Sequence, residues 1–396
     1  MSGALEGLVV LDLSRILAGP TATQMLGDLG ATILKIENPK SGGDDTRAWG
    51  PNYAVGTDGK NTDLSAYFMC ANRNKKSIAI DIATSEGQGI IRQLAARADI
   101  VVENFKPGGL AKYGLDYATM LKAHPELVYC SISGFGQTGP NSDKPGYDLM
   151  AQGYGGIMSL TGDADGPPMK VGVGIADVMC GMYATIGILA ALRHLERTGE
   201  GQHVDVALVD TQMAWLINEG TNFLTSGKLP ERRGNAHPNI VPYDVFTASD
   251  GHVIVAVGND AQFKRFCDFL GHPELAESPL YATNGARIKN RIDLMLIIRP
   301  VLALRKMADI ITGMEALSLP VGPINTVAGA LQSDQAKVRD MVVSIPNEAV
   351  KSGAVSLLGN PLNLSRTPVT YRTPPPRFGQ DTDEVIAEYI GTPKSK

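Results

Sequence analysis

Short β-rich runs alternate with helical patterns over the first third of the chain, and this alternation restricts the possible folds more than any other feature. Leu8 to Leu13 reads as a strand, Ala18-Gly19-Pro20 as punctuation, Thr21 to Leu29 as a helix ended by Gly30, and Ala31 to Ile36 as a second strand. The pattern recurs as strand Ser77 to Ile82, helix Ser85 to Ala98, strand Asp99 to Asn104, helix Tyr117 to Ala123 and strand Leu127 to Ser133. Strands joined through helices are crossover connections, which set neighbouring strands parallel and cover both faces of the sheet. The expectation is an α/β fold whose large domain, residues 1–215, is built on a Rossmann-like parallel sheet.

Residues 134–176 are rich in Gly, Pro and Asp and read as a long loop region with a short helical stretch from Asp148 to Gly153. Loops of that length in compact domains often carry function. A long helix follows from Asp177 to Arg197, closed by Gly199, and then a strand-helix pair from His203 to Phe223. Beyond this the pattern changes. Ser249-Asp250-Gly251 between β-rich runs signals a hairpin within Val245 to Val257, and residues 260–320 read as mainly helical. A smaller α+β domain is expected at 225–325, with 330–396 returning to pack on the large domain. The length, 396 residues, suits two to three domains.

With 36 Lys and Arg against 41 Asp and Glu, the formal charge is -5, so no overall positive field exists to gather nucleic acid or an anionic membrane. Cys70, Cys130, Cys180 and Cys267 are widely spaced, without a C-x-x-C pair or a cluster of histidines, which argues against a zinc site or a disulfide framework. The N-terminal residues lack a basic n-region, and no apolar run is read as approaching the ~20 residues that span a bilayer. A cytoplasmic, reduced, enzyme-sized protein without a bound metal is expected.

Neither a P-loop nor an H-E-x-x-H motif occurs. The nearest dinucleotide pattern is Gly172-Val-Gly174-Ile-Ala-Asp177, in which Asp replaces the third glycine and would repel a pyrophosphate at the helix start. Asp177 itself supports two readings. It suits a helix N-cap, and it also suits a nucleophilic carboxylate beside backbone amides that could stabilise an oxyanion. Local pattern leaves both open.

Several segments in order resemble the class III coenzyme A transferases, which include formyl-CoA, carnitine-CoA and dicarboxylate-CoA transferases, with α-methylacyl-CoA racemase as a relative. They are Leu11-Asp-Leu-Ser-Arg15-Ile-Leu-Ala-Gly-Pro20, Leu34-Lys-Ile-Glu37, Asn72-Arg-Asn-Lys75-Lys-Ser77, Val102-Glu-Asn104-Phe-Lys-Pro-Gly108, Ser133-Gly-Phe-Gly-Gln137-Thr-Gly-Pro140, Gly146-Tyr147-Asp148 and Ile175-Ala-Asp177. Gly234-Asn-Ala-His237, Val321-Gly-Pro-Ile324 and the proline stretch ending at Gly379 extend the likeness over essentially the whole chain.

The resemblance implies that Asp177 attacks a donor thioester, passes through a mixed anhydride to an aspartyl-CoA thioester, and yields CoA to an acceptor carboxylate. It implies CoA contacts for Arg73, Lys75, Lys76, Asn104 and Lys112, and makes Arg15 and Arg47 candidates for holding acyl carboxylates, since a guanidinium suits bidentate recognition. Asn38 departs from an Arg that some members carry after the Ile-Glu pair. Tyr147 stands where the racemase has His in its G-H-D triplet, and a phenol of pKa about 10 is a poor base at neutral pH, so transfer is favoured over the racemase alternative. Tyr147 is read as an active-site wall and His237 as a histidine near substrate.

The oxalate enzymes carry a Gln near the position of Leu17 and a tetraglycine loop, neither of which occurs here. Arg47 to Pro51 and Ile240 to Tyr243 look most like succinyl-CoA-dependent dicarboxylate transferases. Glutarate, hydroxymethylglutarate, malate, citramalate and mesaconate are therefore the acceptors to try. CoA and acyl-CoA are expected as substrates, with no tightly bound cofactor. The family further implies an interlaced homodimer.

Overall fold

Six parallel strands organise the first of two units in the structure, a computed structural model that describes residues 3–391. These are β1 (Val9–Asp12), β2 (Thr32–Glu37), β5 (Lys75–Ala79), β6 (Ile100–Glu103), β7 (Val128–Ser133) and β8 (His203–Ala207), in the order β5-β2-β1-β6-β7-β8. A short antiparallel hairpin of β3 (Tyr53–Val55) and β4 (Asn61–Ser65) lies between β2 and β5 in sequence. The chain runs outward from β1 to β5 and returns to place β6 beside β1, so the crevice beyond the carboxyl ends of β1 and β6 is where the strand order reverses. Ligands of open parallel sheets bind at such a point.

Both faces of the sheet are covered, and the strands alternate accordingly. Val10, Ile33 and Val102 face α1 (Ala18–Asp28) and, past the four-residue α2 (Ala66–Met69), the long α6 (Ile175–Thr198), where Ala184 and Ile188 are fully buried. Leu11, Leu34 and Val101 face the opposite side, towards α3 (Ser85–Ala95), α4 (Tyr117–Ala123) and Val385 of the C-terminal helix Thr382–Tyr389. Side chains that alternate with period two and are apolar on both faces are what a covered parallel sheet requires. α1 starts at Ala18 rather than at Thr21, because Pro20 sits in the first turn, where no amide donor is needed.

By length and composition α6 is apolar enough to cross a membrane, which corrects the sequence expectation that no such run exists. Half of its apolar window is buried within the fold, where it packs against α1, β7, β8 and the helix Leu208–Ala214. At Gly181 an added Cβ would stand 2.6 Å from the Ala18 carbonyl oxygen, so this crossing needs a residue without a side chain.

The first unit comprises the chain up to Met158, Lys170–Lys228 and the chain from Asp334, including the antiparallel pair Val342–Pro346 and Ala354–Leu358. The second comprises Ser159–Met169 and Leu229–Ser333. Residues 159–169, which the sequence reading placed in the large domain, cluster with the second unit. There the Gly234 N–H donates to the Gly162 carbonyl at 3.1 Å, and Arg232 donates to the carbonyls of Asp163 and Gly166.

The hairpin of the second unit pairs Tyr243–Ala248 with Gly251–Ala256 around Ser249 and Asp250, and Val321–Pro323 adds a third antiparallel strand. Its core gathers Phe246, Val253, Phe263, Phe266, Leu294 and Ile298. The fold is thus mixed α/β, with one large parallel sheet and small antiparallel sheets.

Candidate active site

Asp177 is the third residue of α6, and the N-cap position belongs to Gly174. The helix-cap reading of Asp177 is therefore set aside. Capping comes from outside the helix, where Asp148 Oδ1 accepts the Ala176 N–H at 2.8 Å. Asp148 opens α5 (Asp148–Tyr154), and its Oδ2 accepts from Gln152 Nε2 at 2.7 Å, while Gln152 Oε1 accepts the Val171 N–H. With an acidic neighbour already bonded to the helix start, the Asp177 carboxylate accepts no hydrogen bond among the described residues. Burial first, and the charge of Asp148 second, push it up to about 7.

This carboxylate borders a cavity of about 420 Å³ at the carboxyl ends of β1, β6 and β7. Gly134, just after β7, and Gly146 meet so closely that a Cβ on either would overlap the backbone of the other. That contact sets Tyr147, 60% exposed, on the cavity wall. Arg15 and Asn104 complete the near side. The Arg15 N–H donates to Asn104 Oδ1 at 3.0 Å, and Asn104 Nδ2 donates back to the Arg15 carbonyl at 2.7 Å. The Arg15 guanidinium is exposed and paired with Asp45 at 2.7 Å.

A second cavity, of about 470 Å³, lies beyond β1, β2 and β6 and shares Arg15, Asn104, Phe105 and Lys106 with the first. Lys112 lines it, with its ammonium 4.7 Å from the Tyr113 ring centre. Five of the residues singled out in the sequence therefore line these two connected spaces: Arg15, Asn104, Lys112, Tyr147 and Asp177. Lys106 and Lys144 also line the Asp177 cavity, and sequence reasoning passed over them. Lys106 directly follows Asn104-Phe105 after β6, so its place beyond a strand's carboxyl end was the signal available.

The other basic candidates, expected to meet CoA or an acyl carboxylate, have carboxylate partners within the chain and do not line these two cavities. Arg47 is 4% exposed, forked onto Glu37 at 2.8 and 2.6 Å and paired with Asp63, with its guanidinium 3.7 Å from the Phe68 ring centre. Arg73 is forked onto the buried Asp28 at 2.9 and 2.6 Å. Lys75 is buried against Asp12 and Thr23, and burial lowers its ammonium to about 8 in spite of Asp12. Lys76 reaches Glu384 and Glu388 on the C-terminal helix. The buried Arg47, Arg73 and Lys75 need these partners, because a buried charge persists only with one, whereas the Lys76 pairs are solvent-exposed. His237 lies in the second unit, where its Nδ1 accepts the Asn239 N–H and its ring rests against Tyr243.

What this arrangement can do is covalent chemistry at a carboxylate: an Asp177 raised in pKa and without a hydrogen bond among the described residues borders a cavity beside cationic side chains suited to anionic substrates. Known proteins similar to this chain are coenzyme A transferases. The chain is 47% identical over 384 residues, 97% of its length and 95% of the relative's, to a succinate–glutarate CoA-transferase of Agrobacterium fabrum. It is 40% identical, over 98% of its length and 86% of the relative's, to a mouse succinyl-CoA:glutarate CoA-transferase. A crystal structure of a CaiB/BaiF family protein from Brucella suis superposes with a TM-score of 0.86 at 44% identity, covering 98% of this chain and all of that one. The family model for CoA-transferase family III matches residues 5–382, nearly the whole described chain, and with these relatives it shows that the protein belongs to CoA-transferase family III.

Proposed function

We propose that this enzyme moves coenzyme A from succinyl-CoA to a small dicarboxylate, with glutarate the first acceptor to test, and that Asp177 is its nucleophile. The observation that carries this reading is the Asp177 carboxylate, raised to about 7 and free of hydrogen bonds among the described residues, at the wall of a cavity. An Asp177 oxygen would attack the thioester carbonyl, and the C–S bond would break to give a mixed anhydride and CoA thiolate. The thiolate would then attack the aspartyl carbonyl, releasing succinate and leaving an aspartyl-CoA thioester. The acceptor carboxylate attacks that thioester, and the thiolate takes the new acyl group from the second anhydride, so Asp177 is regenerated without ATP.

The thioester belongs in the Asp177 cavity and the nucleotide portion of CoA in the adjoining one. Lys112 and Lys106 there suit its phosphates, and Asn104 borders both spaces. Arg15 and Lys144, which line the Asp177 cavity, would meet the remote carboxylate of a dicarboxylic acyl group. The names of the relatives, both glutarate enzymes, support glutarate as acceptor.

A homodimer is part of the proposal. Met150 on α5 and Met182, Tyr183 and Ile186 on α6 are exposed apolar side chains, a surface of the kind that subunit association covers.

The test is peptide mass spectrometry after mixing with succinyl-CoA and trapping activated carboxylates with hydroxylamine. Modification at Asp177, lost together with all transfer in a folded Asp177→Ala variant, is expected. Full transfer by that variant would refute the mechanism, and a folded wild type inactive towards every dicarboxylate would refute the substrate.

A further inference from the structure

The turn that joins β1 to α1 is held by three consecutive clamps, and one of them enforces an unfavourable backbone conformation. The Ser14 carbonyl accepts from Lys35 Nζ at 3.0 Å, and the Arg15 peptide is bonded on both sides by Asn104. Ile16 then adopts φ +73, in the left-handed region that a β-branched side chain avoids. Its N–H points at the Asp44 carboxylate, 3.2 Å from each oxygen.

Asp44 is 5% exposed and is itself fixed by Lys35 at 2.9 Å and by the Thr46 N–H and hydroxyl at 3.0 and 2.8 Å. Burial alone would raise the Asp44 carboxyl, but the Lys35 ammonium holds it below its ordinary range. The residues that follow this turn, Leu17 and Ala18, line the cavity with Asp177, and the Leu17 side chain would lie 3.2 Å from a Cβ at Gly174, the N-cap of α6.

The geometry points to Asp44, charge-balanced by Lys35, as a positioning residue for the transfer reaction: it keeps Ile16 left-handed and thereby sets where the backbone of residues 16–18 stands against Asp177. Left-handed backbone in a non-glycine residue persists only where surroundings over-determine it, and such strain concentrates at functional sites. Here the Asp44 carboxylate is the acceptor that determines it. Without that carboxylate, Ile16 relaxes to a negative φ and the cavity wall turns away from the nucleophile. A displacement of the order of an ångström at a reacting centre lowers turnover by roughly a hundredfold, whereas CoA binding in the adjoining cavity, beneath whose lining the Lys35 and Asp44 side chains are buried, should change less.

This inference rests on transfer taking place at Asp177, so its test carries one readout that does not depend on activity. Asp44→Asn takes from the buried Lys35 its bonded carboxylate and leaves it only the charges of Asp12 and Glu37, so the decisive variant is K35M/D44L, which removes the bonded pair together. In its crystal structure Ile16 is expected to leave the left-handed region; an Ile16 still near φ +73 would overturn the inference whatever the enzyme's substrates prove to be.

With succinyl-CoA and glutarate, K35M/D44L is expected to lose at least about tenfold in kcat with KM for succinyl-CoA within about threefold. Adding Ile16→Gly, which accepts a positive φ without strain, should recover most of the lost kcat. A folded variant with wild-type kcat, or a loss that Ile16→Gly fails to repair, overturns the positioning role.

Discussion

Asp148 and Asp177 share the start of α6: Asp148 Oδ1 accepts the Ala176 N–H at 2.8 Å, and its negative charge adds to burial in holding the Asp177 carboxyl at about 7. One carboxylate thus performs the capping while the other is left unbonded towards the cavity. A carboxylate raised in this way is a stronger nucleophile once ionised and is only partly ionised near neutral pH.

The acidic limb of the activity profile is the first consequence. Attack requires the charged form, so kcat/KM should rise with pH through about 7. Asp148→Asn keeps an oxygen for the Ala176 N–H but removes the charge, so Asp177 should ionise at lower pH and the limb should move with it. The ratio of variant to wild-type kcat/KM should be higher at pH 6 than at pH 8; a ratio flat across that range would show that Asp148 does not tune Asp177.

Stability carries the same signature with its own sign. The folded value of Asp177 lies above the ordinary 3.8, so its contribution is neutral below that value, turns unfavourable as pH rises, and is fully unfavourable above about 7. Three units correspond to about 4 kcal/mol at most. Asp177→Asn lacks this penalty and should melt at a higher temperature than wild type at pH 8, with the gap shrinking towards pH 4. A gap independent of pH would point to packing instead of charge.

The strands and helices of the sheet were legible in the sequence because apolar residues of strand and helix alternate with their own periods, as at Val10 and Leu11 or Ala184 and Ile188. The β3–β4 hairpin was not, since Asn61-Thr-Asp-Leu-Ser65 is largely polar and Tyr53–Val55 is three residues long.

At the site, Asp177, Tyr147, Arg15, Asn104 and Lys112 could be picked out through the resemblance of the segments that carry them to the class III transferases, and the folded chain brings them to the two cavities. Arg47 and Arg73 could not be separated from them. Their carboxylate partners, Glu37 and Asp28, stand 10 and 45 residues away, and only the folded chain shows that these guanidinium groups are occupied. The hold of Asp44 on Ile16, 28 residues apart, was hidden for the same reason.

Arg73 and Lys112 should accordingly separate by phenotype. Arg73→Ala leaves Asp28 buried with only the amides of Asn74 and Asn360, at 2.8 and 3.0 Å, and should cost about 3–5 kcal/mol of stability. Arg73→Lys should restore little of it, since the two-pronged contact is lost. Lys112→Ala should melt like wild type and raise KM for succinyl-CoA by roughly three- to tenfold, the effect of losing one solvent-screened phosphate contact. Thermal melts and initial rates on the same preparations decide it, and an Arg73→Ala variant of unchanged Tm with raised KM would return Arg73 to the CoA site.

The proposed dimer makes a final prediction. If its chains interlace, dissociation requires unfolding, so dilution should leave the oligomer intact where an ordinary interface would come apart by mass action. Mass photometry at nanomolar concentration should show one species near twice 42.0 kDa, and specific activity should not fall with dilution. Ile186→Glu, which puts a charge on the exposed apolar face of α6, should lower the yield of folded protein without producing an active monomer. A concentration-dependent monomer with native specific activity would rule out interlacing and leave the exposed residues of α5 and α6 without a partner chain to cover them.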